Sequence, residues 1–117
     1  MKKLLFTTIA ILSIACYSFT LKKDGSKKVN ILVAHEVEDY IRWKKAFDAG
    51  AANREKAGIK VIAVYQVSEN PNTIVGIMEA ASQEVAQKYF DNPALKAAME
   101  KAGVISVPEI KILNQVQ

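Results

Sequence analysis

Cysteine is almost missing from this chain. Cys16 is the only one, so no intrachain disulfide can form and the fold must hold itself together by packing. Histidine is as scarce: His35 stands alone, and with a single cysteine far from it there is no Cys/His set with metal-ligand spacing. Three prolines and five glycines exclude a low-complexity or collagen-like chain. No glycine-rich phosphate loop, nucleophile elbow or acidic calcium-type loop occurs anywhere in the sequence. The sequence therefore implies neither a metal nor a cofactor.

Positive charge is also scarce where it would matter. The formal charge is +4, but residues 1–28 hold six of the sixteen Lys and Arg and only one of the twelve Asp and Glu. Residues 29–117 are left with ten basic and eleven acidic side chains. A nucleic-acid-binding domain carries its charge on the fold, so nucleic acid is set aside as a partner.

What the chain has is hydrophobic substance, half of its 117 residues, enough for one packed domain. Met1-Lys2-Lys3 followed by the apolar run Leu4 to Ala15 has the layout of a secretory signal. Cys16 closes that run, and the segment resembles a bacterial lipoprotein signal in which the cysteine is acylated. Ile14 and Ala15 suit that pattern and Ser13 does not; cleavage after Ser18 and an uncleaved anchor through Leu21 are the alternatives. The expectation is a signal peptide over 1–18, a polar tether over 19–28 and a domain over 29–117. Each version exports the protein, either free in the periplasm or held to a membrane only through the N-terminal leader or by lipid at Cys16.

Val29 to Val37 reads as a strand that is apolar on both parities. Asp39 is placed to cap a helix of about four turns that Gly58 stops. Tyr40, Trp43, Phe47, Ala51 and Arg54 fall on one face of it, with Arg42, Lys45, Asp48 and Glu55 on the wet side. Ile59 to Val67 and Thr73 to Ala80 are strands, joined by the turn-forming Ser68-Glu69-Asn70-Pro71-Asn72 into a hairpin. Ser82 and Asn92-Pro93 open two short helices, the second with the stripe Leu95, Ala98, Met99 and Ala102 and a stop at Gly103. Ile110, Ile112 and Leu113 form a last strand, placed at a sheet edge by Pro108.

The order β-α-β-β-α-β predicts an α+β fold of ferredoxin-like type: a four-stranded antiparallel sheet with its helices on one face. The helices cover one side only, yet the strands are apolar on both. Each Val, Ile, Leu or Met left in water on the bare side costs roughly 1.5–3 kcal/mol relative to burial. A free sheet face should read polar. Two copies packing sheet against sheet into a barrel is the expected remedy.

These features resemble the dimeric α/β-barrel superfamily, which includes antibiotic-biosynthesis monooxygenases, stress-responsive barrel proteins and haem-degrading enzymes. The nearest likeness is to a set of small domains sharing Asp39-Tyr40-x-x-Trp43-Lys44-x-x-Phe47 and Arg54-x-x-x-Gly58, over residues 29–115. Leu95-Lys96-x-Ala98-Met99-x-x-Ala102-Gly103-Val104 with Pro108-Glu109 completes the pattern. The resemblance implies a homodimer, and it implies fold more strongly than function. Haem-degrading members place an Asn, a Trp and a His in a set arrangement. Here Asn30 and His35 share one strand, Trp43 lies in the first helix and no histidine follows, so haem chemistry is not implied.

Seven residues are candidates for a ligand pocket between helices and sheet: His35, Tyr40, Trp43, Arg54, Tyr65, Glu79 and Tyr89. Aromatics at helical spacing are more often plain core, and a lone histidine is more often a hydrogen-bonded structural residue. Arg54 is harder to dismiss, because an arginine on an apolar face must reach water, an acid or an anionic ligand; Glu79 is the expected acid. Three functions follow as alternatives. The leading one is an exported dimeric barrel domain that binds a small apolar or aromatic molecule. The others are a cofactor-free monooxygenase-like enzyme with an aromatic substrate, and a structural or interaction module with no ligand. Nothing in the sequence names a catalytic residue.

Overall fold

The computed structural model describes residues 27–117, and the signal peptide, Cys16 and most of the tether lie outside them. Eight elements follow in order: β1 (Val29–Glu36), α1 (Tyr40–Ala49), α2 (Ala51–Lys56), β2 (Ile59–Val67), β3 (Asn70–Ala80), α3 (Gln83–Phe90), α4 (Pro93–Lys101) and β4 (Glu109–Leu113). The strands form one antiparallel sheet in the order β2-β3-β1-β4, with helices over one face, a ferredoxin-like arrangement.

Local chemistry sets the element ends. Asp39 accepts from the Ile41 N–H at 3.0 Å, Ser82 from Val85 at 3.1 Å and Asn92 from Ala94 at 2.9 Å, so the starts of α1, α3 and α4 each have an orphan donor satisfied. Gly58 closes the first helical stretch at φ +82°, where a side chain would be strained.

The stretch from Tyr40 to Gly58 is two helices rather than one, broken at Gly50. A Cβ at Gly50 would stand 3.2 Å from the Arg54 Nη1, so the bare backbone leaves room for the guanidinium. Ala51, expected on the buried stripe, is exposed just beyond this break.

The hairpin turn is tighter than its composition implies. Val67 pairs with Asn70, which leaves Ser68-Glu69 as the loop and takes Pro71 and Asn72 into β3. Pro71 lies beyond the last β1 partner, Thr73, where its missing N–H costs no bond to that strand.

Residues of β1 and β3 that face the helices are buried: Ile31, Val33, His35, Ile74, Gly76 and Met78. On the bare face Leu32, Ala34, Val75 and Ile77 are half-buried within the single subunit, so the strands are apolar front and back. The helix-side core falls into two clusters. One gathers Ile31, Val33, Ile59, Met78, Ala80 and Ala86; the other is Val37, Trp43 and Ile74. Phe47 packs against both.

Candidate functional site

Between the two clusters the helices do not close on the sheet. A cavity of about 360 Å³ lies there, floored by Val33, Ile74, Gly76 and Met78 and walled by Trp43 and Phe47 of α1. Its roof is α4, which contributes Leu95, Ala98 and Met99. The apolar stripe of α4 therefore has no fully buried residue: Met99 and Ala102 touch the two core clusters, while Leu95 and Ala98 border the open space.

One wall is a row of aromatic and π-bearing groups. The His35 ring meets Trp43 edge-on at 5.6 Å, and Trp43 stacks on Phe47 at 4.9 Å with planes 25° apart. The Arg54 guanidinium carbon lies 3.8 Å from the Phe47 ring centre, a cation–π contact. The i, i+4 step from Trp43 to Phe47 lies on one face of α1, Arg54 comes to it from α2 beyond Gly50, and His35 comes from β1.

The two polar members sit at its ends. His35 is 8% exposed, and its buried Nδ1 has no hydrogen-bond partner among the described residues. Burial lowers the imidazole from its ordinary pKa, outweighing a backbone interaction that raises it, and keeps the ring neutral near pH 7. Arg54 is 9% exposed and donates from Nη2 to the Phe47 carbonyl at 2.7 Å. Tyr89 of α3 lines the same space; burial pushes its phenol up, with the nearby Arg54 pulling the other way.

Of the seven residues expected at the pocket, His35, Trp43, Arg54 and Tyr89 line the cavity together. Tyr40 does not reach it and instead packs against the side of Trp43, ring centres 6.1 Å apart. Tyr65 is on the other side of the sheet. β2 carries one extra residue, Ile62, between the pairs Val61–Met78 and Ala63–Ile77, and that bulge flips every later side chain. Tyr65 thus pairs with Val75 on the bare face and is 58% exposed. Glu79 does not neutralise Arg54 either. It shares the bare-face parity of Val75 and Ile77 and pairs with Lys28 at 3.7 Å.

Sequence reasoning missed Phe47's role as the ledge for Arg54, the relief at Gly50, and Asn53 and Asn92 at the cavity wall. The Gly50 to Arg54 spacing of one helical turn was the readable signal for the second of these. Among the described residues no three His, Cys, Asp or Glu side chains come together as a metal-binding group.

No protein-family model and no curated protein matches this sequence. Solved structures do match its fold. A protein from Bordetella bronchiseptica, provisionally named an antibiotic biosynthesis monooxygenase, gives a TM-score of 0.65 at 8% identity, covering 78% of this chain and 99% of its own. A similarly named protein from Caulobacter crescentus gives 0.61 at 16% identity, over 79% and 92%. The N63A mutant of SnoaB, a cofactor-independent oxygenase from Streptomyces nogalater, gives 0.63 at 14% identity, over 79% and 96%. At such identities the likeness is one of fold.

Proposed function

Starting from the ferredoxin-like fold that this chain has in common with antibiotic-biosynthesis-monooxygenase-like structures, we propose that it is an exported, dimeric α/β-barrel domain whose cavity binds a small apolar or aromatic molecule. The observation that carries this reading is the 360 Å³ space between the two core clusters, with neutral His35 and cationic Arg54 on its wall. It lies within the roughly 300–1,000 Å³ range of small-molecule sites and has the usual pattern of apolar lining with few polar groups. A gap of that size forfeits dispersion contacts that a ligand's apolar body restores.

Thermal unfolding with a panel of phenols, quinols and aromatic acids tests it. Compounds that raise the melting temperature, and lose that effect when Gly76→Val fills the cavity floor, support the reading. A flat response across the panel leaves the structural module as the better account.

The dimer forms through the bare sheet face, where Leu32, Ala34, Val75 and Ile77 need a cover that the helices do not supply. Export follows from the leader; mass spectrometry of the mature N-terminus separates an acylated Cys16 from a start at Phe19.

A second reading, cofactor-free oxygenation, is favoured by one observation: His35, held neutral by burial, lines the cavity as a candidate base. Such a base can take the proton of a phenol, and the electron-rich anion then reacts with dioxygen. Oxygen uptake above background with phenols or quinols, abolished by His35→Phe, supports this reading; binding without uptake excludes it.

A further inference from the structure

Among the described residues, Arg54 is a buried cation without an anion. The ion pairs among the described residues are Lys28–Glu79, Arg42–Glu38, Lys44–Asp48 and Lys111–Glu109, and Arg54 is in none of them. What surrounds its guanidinium is neutral: the Phe47 carbonyl, the Phe47 ring and the Tyr89 phenol. A charge taken out of water without a partner is costly, and the carbonyl uses only one of five N–H donors. Arg54 also lines the cavity.

At the far end of the aromatic wall the opposite vacancy exists. His35 lines the cavity with its Nδ1 buried and, among the described residues, unpartnered, and its ring can act as donor or acceptor according to tautomer. A hydroxyl satisfies it in either case, since a hydroxyl both donates and accepts. Between these ends, Trp43 and Phe47 present a continuous stacked surface that suits a flat ring.

Building on the cavity reading above, we propose that the ligand is a hydroxylated aromatic carboxylate. Its ring lies along Trp43 and Phe47, its carboxylate meets Arg54 beside Tyr89, and its hydroxyl meets His35. A planar, singly charged carboxylate matches the forked donors and single charge of one guanidinium. A phosphate's second charge has no counterpart, because Arg54 is the one Lys or Arg on the cavity lining.

Titration calorimetry of the protein with three probes tests this: 4-hydroxyphenylacetate, its methyl ester and phenylacetate. The acid should bind about tenfold or more tightly than the ester, the worth of one charge-assisted contact. It should exceed phenylacetate by about fivefold, the worth of one neutral hydrogen bond. Arg54→Gln should reduce the acid to the ester's affinity while the ester still binds, which also shows that the variant is folded. Arg54→Lys should retain part of the preference, and His35→Phe should erase the gap to phenylacetate alone. Equal binding of acid and ester to the parent protein, or a preference that survives Arg54→Gln, overturns the assignment and leaves the cavity reading standing. Binding of none of the three overturns both.

Discussion

Arg54 lies flat on Phe47, seven residues before it, with its guanidinium carbon 3.8 Å from the ring centre while Nη2 donates 2.7 Å to that residue's own carbonyl. The pair joins α2 to α1 across the break at Gly50, where a Cβ would stand 3.2 Å from the Nη1. Ring, carbonyl and bare glycine together hold a charge that the interior would otherwise reject.

Replacing Arg54 by Met keeps much of the apolar stem and removes both contacts. The cation–π contact is worth about 0.5–2 kcal/mol and a charged hydrogen bond about 1.5–3. Part of the loss is regained by no longer burying a charge, so a net destabilisation of about 1–3 kcal/mol is expected in urea unfolding. Gly50→Ala should cost about 1 kcal/mol in the parent protein, because the guanidinium must shift. In the Arg54→Met background that cost should disappear, since nothing remains to be displaced. Additive costs would disprove the link between the two positions.

Stability should depend on pH through His35. Burial holds its folded pKa below the ordinary 6.5, so at mildly acidic pH the unfolded chain binds a proton that the folded chain refuses. The contribution is harmless above about pH 7. Stability is lost as pH falls through 6.5, and the loss levels off once the folded imidazole is also protonated. His35→Phe should flatten this part of the profile between pH 7.5 and 5, as read by denaturant midpoints.

Gly76 lies on the cavity floor in mid-strand, and a Cβ there meets nothing nearer than the Val33 carbonyl oxygen at 3.9 Å. Gly76→Ala should therefore stabilise the fold by about 0.5–1 kcal/mol through strand propensity alone. The larger Gly76→Val should displace any ligand from the cavity. A loss of stability in Gly76→Ala would show that the floor is tighter than it looks.

The bare face offers a separate test. Ile77 sits in the middle of β3 among Leu32, Val75 and Ala63, half-buried in the lone subunit. Ile77→Lys should convert a dimer to a monomer in sedimentation at micromolar concentration, while Lys45→Glu on the wet side of α1 should not. A parent protein that sediments as a monomer rules out the sheet-to-sheet assembly.

The sequence alone determined whatever depends on neighbours within a turn or two. The caps at Asp39, Ser82 and Asn92, the stop at Gly58 and the edge position of β4 after Pro108 were all readable, because each rests on what one residue does to the backbone next to it. Apolar strands on both parities, and with them the layered α+β architecture, were readable for the same reason. Tertiary structure alone decided which face each strand residue takes and where the core fails to close. One extra residue at Ile62 reverses β2 and sends Tyr65 to the bare side, and Glu79 follows its own strand there, away from Arg54. The stripe of α4 looked like core and proved to be the roof of a cavity. Periodicity says which residues share a side, whereas a bulge or a gap between two layers is settled only when distant segments meet.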